Sequence, residues 1–134
     1  MSTEGSIPAA SAWSAWALPI SPPSFVMKEF KAGVAWYGRL VGPTDNLHPK
    51  NPVDVAGSLH APVLGLYGGA DAGIPRQSIE QMRQALTAAH QPSEIVVYPD
   101  APHGFNADYR PTYNETDARE GWSRMLAWFK KNGV

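Results

Sequence analysis

The 134-residue chain contains no cysteine, which excludes disulfides, thiolate metal sites and a cysteine nucleophile together. It leaves the redox compartment open. No Lys or Arg precedes Lys28, so the apolar stretch over residues 9–18 lacks the positive region that normally opens a secretory signal. Pro19, Pro22 and Pro23 follow it closely, and it is far short of the roughly 20 apolar residues that span a bilayer. A cytoplasmic protein without a membrane segment is the expectation. Charge of one sign is also lacking: the net charge is −1 and Lys and Arg are dispersed. Nucleic acid and anionic membranes need a basic patch, so neither is an expected partner.

What is present is the composition of a soluble globular chain, 43% hydrophobic and 17% charged, with one domain as the upper limit. If all of it packed, such a chain could bury roughly two thirds of its unfolded surface. The composition shifts near Glu29. Residues 1–28 are rich in Ser, Ala, Pro and Trp and end in Ser21-Pro22-Pro23-Ser24. They show no sustained period of two or of 3.6, so residues 1–30 read as an irregular leader and residues 31–134 as the ordered part.

Within that part, Ala32-Gly33-Val34-Ala35-Trp36-Tyr37 and Pro62-Val63-Leu64-Gly65-Leu66-Tyr67 are apolar runs without strict alternation, as expected of parallel strands covered on both faces. Glu94-Ile95-Val96-Val97-Tyr98 is β-branched and stopped by Pro99, which predicts a third strand. A helix is predicted over 78–89, with Ile79, Met82, Ala85, Leu86 and Ala89 on one face and Ser78 and Gln81 as a capping box. A last helix is predicted over 115–131, with Asn114 as N-cap and Ala118, Trp122, Met125, Leu126 and Phe129 as its apolar stripe. Lys130 and Lys131 suit its C-terminal dipole and Gly133 its stop. With a short helix near 52–56, this order is that of an open parallel α/β sheet of about three strands.

Ligand chemistry in such sheets lies beyond the carboxyl ends of the strands. Those ends carry Tyr37-Gly38, Gly68-Gly69-Ala70-Asp71 and Pro99-Asp100-Ala101-Pro102-His103. A neutral imidazole can take the proton of an attacking hydroxyl or thiol and later return it to a leaving alkoxide. A carboxylate on the other ring nitrogen fixes the tautomer and stabilises the imidazolium. His103 and Asp71 suit these roles, while the bland alternatives are a loop histidine and a turn-forming aspartate. Tyr37 lines the site mouth or simply packs. His48, His60 and His90 have no metal-ligand spacing and read as surface or core residues. Trp122, Trp128 and Phe129 read as core, and Asn114-Glu115-Thr116 as a helix start rather than a glycosylation site.

Val34-Ala35-Trp36-Tyr37-Gly38, residues 61–71 ending in Tyr67-Gly68-Gly69-Ala70-Asp71, and Tyr98-Pro99-Asp100-Ala101-Pro102-His103-Gly104-Phe105 together resemble the C-terminal half of the dienelactone hydrolase family. The resemblance covers about residues 31–134 and includes the closing Gly121-Trp122 to Trp128-Phe129 helix. It implies part of an α/β-hydrolase fold that acts on a small-molecule ester or lactone, without metal or organic cofactor, with Asp71 as catalytic acid and His103 as catalytic histidine. Members that hydrolyse dienelactone hold its carboxylate with arginines, one of them four residues after the histidine. Ala107 stands there in this chain, and Arg110 can substitute only if the loop bends back. Dienelactone itself is therefore not the expected substrate.

The family's nucleophile sits on an elbow after an earlier strand, of the G-x-S-x-G kind. No such segment occurs in the chain, and neither Ser11 nor Ser14 has a glycine two residues away. Bulky neighbours in an elbow clash with the adjoining strand and helix, which disfavours Ser14 as nucleophile. The oxyanion donors, contributed by the residue after the nucleophile and by an earlier loop, are missing with it. The expectation is a hydrolase-family chain that is inactive alone. The alternative is a non-catalytic fragment that self-associates through an open sheet edge or pairs with another hydrolase half.

Overall fold

In a computed structural model of the chain, residues 31–46, 49–59 and 61–134 are described. Residues 1–30, Ser14 among them, and His48 and His60 lie outside them. The elements run in the order β1 (Gly33–Trp36), a 3-10 helix (Pro52–Ser58), β2 (Val63–Gly68), α1 (Arg76–Ala88), β3 (Glu94–Tyr98) and α2 (Glu115–Lys131). The three strands form one parallel sheet in the order β1-β2-β3. This is the expected partial α/β-hydrolase arrangement, three parallel strands with flanking helices.

Register follows from the apolar runs. Trp36 stands beside Leu66 and Leu66 beside Val96, so these side chains share one face of the sheet. All six residues of β2 are buried, which means both of its faces are covered and explains its lack of alternation. Over the Trp36 face lies α2. It comes near the sheet at Gly121, where an added Cβ would come within 2.7 Å of Trp36 Cη2 and 3.4 Å of the Tyr98 hydroxyl.

That contact corrects the apolar stripe read from the sequence. The buried positions of α2 are Ala118, Gly121, Met125 and Trp128, with Phe129 partly buried against the core. Trp122 is 51% exposed and Leu126 54% exposed. The helix is turned so that its smallest residue, rather than Trp122, meets the sheet. Asn114 caps α2 as expected, its side-chain oxygen accepting from the Asp117 N–H at 3.2 Å while its amide donates to the Asp117 carboxylate at 2.9 Å. Glu115 and Asp117 in the first turn and Lys130 and Lys131 in the last complement the helix dipole.

A second correction concerns α1. It begins at Arg76, with Pro75 at the N-cap, so Ser78 is inside the first turn and is not a capping-box residue. The Pro75 carbonyl accepts the Ser78 N–H at 2.9 Å and the Ile79 N–H at 3.4 Å, and the Ser78 hydroxyl donates to the same oxygen at 2.7 Å. Proline has no N–H to leave unsatisfied at a helix start, which allows the helix to begin before the serine. Ile79, Met82 and Leu86 are buried as the helical spacing required.

Candidate functional site

Two loops meet beyond the carboxyl ends of β2 and β3. The Gly69 N–H donates to Tyr98 O at 2.7 Å and the Ala70 N–H to Ala101 O at 3.0 Å, so the loop carrying Asp71 is stitched to the loop carrying His103. Gly68 makes the stitch possible: a Cβ there would lie 2.2 Å from the Ala101 carbonyl oxygen. Close backbone approach of this kind admits only glycine. Parallel strands with matched ends thus deliver acid and histidine to one place.

There, Asp71 Oδ2 and His103 Nδ1 are 2.7 Å apart. The Asp71 side chain is 1% exposed and that of His103 48% exposed. The other Asp71 oxygen, Oδ1, accepts the Gly73 N–H at 2.8 Å. A carboxylate with both oxygens occupied in a buried position orients the imidazole with a short, charge-assisted bond. Because Nδ1 faces Asp71, Nε2 is the nitrogen left to meet a reacting group.

Aromatic rings close the floor of the site. Phe105, fully buried, packs against Trp36, Tyr37 and Tyr98 at centroid distances of 5.8, 5.6 and 5.3 Å. Tyr37 also meets the His103 ring at 5.1 Å in a T-shaped contact. Burial raises the Tyr37 phenol above its ordinary pKa, with Tyr109 acting in the same direction and Arg110 against it. Desolvation of the neutral-to-anion change is the cause.

Arg110 does fold back. Successive turns, Ala107 N–H to Gly104 O, Arg110 N–H to Ala107 O and Tyr113 N–H to Arg110 O, lead to an Asn114 N–H to Phe105 O bond that returns the chain to the site. Gly104 has a φ of 78°, and a Cβ on it would lie 3.1 Å from Arg110 Cδ and 3.3 Å from its Nη1. The guanidinium therefore packs over the residue next to His103, with its Cζ 5.8 Å from the Tyr109 ring centre.

Of the residues singled out in the sequence, the structure brings Tyr37, Asp71, His103 and Arg110 into one region. His90 lies apart, at the end of α1, with its N–H donated to Thr87 O. Sequence reasoning missed the contact of Tyr37 with His103, its positive φ of 39°, and the hydroxyl of Tyr67 donating to Gly38 O at 3.0 Å. A tyrosine carries no preference for φ above zero, so only its place at a strand end could have pointed there. Among the described residues no cluster of His, Asp and Glu could hold a metal. No described helix is long and apolar enough to cross a membrane.

The profile of the Dienelactone hydrolase family matches residues 23–133. A protein of Salmonella typhimurium provisionally named carboxymethylenebutenolidase is 63% identical over 105 residues, covering 78% of this chain and 39% of that protein. A protein of the same provisional name from Escherichia coli K12 is 59% identical over 105 residues, with the same shares. The crystal structure of a Klebsiella pneumoniae protein provisionally named dienelactone hydrolase superposes with a TM-score of 0.74 and 56% identity, covering 79% of this chain and 45% of that one. The chain thus spans about two fifths of the length of the curated relatives it matches.

Proposed function

The chain belongs to the dienelactone hydrolase family, and on that premise we propose that residues 31–134 supply the acid and the histidine of an ester- or lactone-hydrolysing site whose nucleophile comes from outside the described residues. The observation that carries this is the 2.7 Å pair itself, a buried Asp71 behind a half-exposed His103. In the reaction, His103 Nε2 takes the nucleophile's proton as the nucleophile attacks the acyl carbon. It then gives that proton to the departing alkoxide, takes one from the water that attacks the acyl intermediate, and returns it to the nucleophile as the acid leaves. Asp71 keeps Nδ1–H as the bonded tautomer and offsets the imidazolium charge without itself becoming protonated.

Tyr37 and Arg110 are the substrate-side residues of this reading. Arg110, folded over Gly104 beside His103, is suited to an anionic group on the substrate, since a guanidinium matches a carboxylate in a planar, bidentate pair. Tyr37 lines the inner wall. The small-molecule ester or lactone enters from the His103 side, the exposed side of the pair.

The chain as it stands lacks a nucleophile elbow in its sequence, and we infer that it does not turn over esters alone. Hydrolysis of p-nitrophenyl acetate by the purified chain is expected at the buffer rate. Turnover above that rate which disappears in His103→Ala would assign a nucleophile to one of this chain's own hydroxyls. Turnover that persists in His103→Ala would remove the pair from the chemistry altogether.

A second reading, a non-catalytic chain that self-associates or pairs with another hydrolase half, has the outer edge of β1 in its favour. Among the described residues β1 pairs with β2 alone, and an unpaired edge is a template for another strand. Size-exclusion chromatography of the purified chain tests its self-associating form: a defined oligomer that persists on dilution supports it, and a monomer removes it.

A further inference from the structure

The bond between His103 and Asp71 fixes one atom of an imidazole whose side chain is 48% exposed. A single hydrogen bond does not by itself stop the ring from swinging about its own side-chain torsions into solvent. Something must hold its plane. The group placed to do so is the Tyr37 ring, 5.1 Å from the imidazole with the two planes at 60°.

The position of that ring is over-determined. Tyr37 is one of two described non-glycine residues with positive φ, at 39°, a conformation that L-residues avoid and that persists only where the surroundings impose it. Three contacts impose it here. The Tyr37 N–H donates to Leu66 O at 2.8 Å, extending the β1–β2 ladder up to the turn. The next residue's carbonyl, Gly38 O, accepts the hydroxyl of Tyr67 at 3.0 Å, and Tyr67 is fully buried on the central strand. Phe105, two residues beyond His103, backs the Tyr37 ring at 5.6 Å. An extended backbone at Tyr37 would carry the ring away from both Phe105 and His103.

We propose that Tyr37 is a positioning residue for His103: the Tyr67-anchored left-handed turn at the end of β1 sets the Tyr37 ring against the imidazole and keeps it bonded to Asp71. The inference rests on the reading of His103 as the proton carrier for its purpose, but not for its test, which needs no turnover.

Nuclear magnetic resonance of the full labelled chain provides that test. In the wild-type chain, ring protons of Tyr37 and His103 show cross-relaxation, and the His103 Nδ1–H gives a slowly exchanging resonance. In Tyr37→Leu, exchange of that proton rises at least tenfold and the His103 χ1 couplings average, while Tyr37→Phe restores both. The Gly69 and Ala70 amides, which hold the acid's loop, keep their exchange rates in both variants. A wild-type chain without the Tyr37–His103 cross-relaxation overturns the inference, as does an unchanged Nδ1–H exchange rate in Tyr37→Leu. Should Tyr37→Leu fail to fold, Tyr67→Phe takes its place, removing only the hydroxyl on Gly38 O. Faster Nδ1–H exchange in that variant supports the anchored turn, and an unchanged rate overturns it. Failure of the hydrolytic reading would appear instead as esterase activity indifferent to His103, and leaves these spectra unaffected.

Discussion

At the scale of the residue, the acid and the histidine meet because backbone hydrogen bonds hold their two loops together. Gly69 and Ala70 bond to Tyr98 and Ala101, and this crossing needs Gly68 to have no side chain, with the Ala101 oxygen 2.2 Å from where a Cβ would stand. Gly68→Ala is therefore expected to destabilise the chain by about 1–3 kcal/mol, the usual cost of overpacking, measured by urea unfolding, and to weaken the Asp71–His103 bond. A change under about 0.5 kcal/mol would mean that the loops are not stitched as described. That Asp71 and His103 would meet was legible in the sequence, because a glycine pair before an acid at one strand end and a histidine at the next place the two side by side. The left-handed turn at Tyr37 was not. With Gly38 adjacent, sequence reasoning assigns any positive φ to the glycine, and only the Tyr67 hydroxyl on the Gly38 carbonyl and the packing on Phe105 show why the tyrosine takes it.

At the scale of the element, the strands and the span of the last helix follow their sequence signals closely, while the buried face of α2 and the start of α1 do not. β3 and α2 run over Glu94–Tyr98 and Glu115–Lys131, where a proline stop and an asparagine cap define the ends. Periodicity alone could not tell which side of α2 meets the sheet, since both a Trp122 stripe and a Trp128 stripe have helical spacing. The decision is tertiary: Trp36 and Tyr98 project from the sheet and leave room only for a glycine. Two substitutions separate the stripes. Gly121→Ala places a Cβ 2.7 Å from Trp36 and is expected to cost about 1–3 kcal/mol, whereas Trp122→Ser at an exposed position is expected to stay within about 0.5 kcal/mol. The reverse order in thermal unfolding would restore the Trp122 stripe. Asn114→Ala removes a cap that both accepts from and donates to Asp117, and a loss of about 1 kcal/mol is expected by the same measurement.

At the scale of the whole molecule, buried phenols make stability sensitive to alkali. Desolvation holds Tyr67 and Tyr98 well above the usual phenol range, reinforced at Tyr98 by its hydrogen bond to Glu120, and Tyr37 is raised as well. Their ordinary value is 10.0. Above that pH the unfolded chain gives up phenolic protons that the folded chain retains. Stability is thus fully present below pH 10 and falls as pH rises through the raised folded values. Melting temperature is expected to be flat from pH 8 to about 9.5 and to drop beyond it, less steeply in Tyr67→Phe than in the wild type. A melting temperature indifferent to pH up to 11 would mean that these phenols are open to water.

The strand order, the matched carboxyl ends and the membership of the dienelactone hydrolase family all support the proposal that the Asp71–His103 pair serves hydrolysis. The most direct test places residues 31–134 into the Klebsiella pneumoniae relative, 56% identical in the superposed part, in exchange for its own equivalent segment, and follows ester hydrolysis. The chimera is expected to hydrolyse p-nitrophenyl acetate, and His103→Ala within it to reduce kcat by about 10³-fold or more, as loss of a general base from a triad does. A folded chimera whose turnover is the same with and without His103 would contradict the assignment.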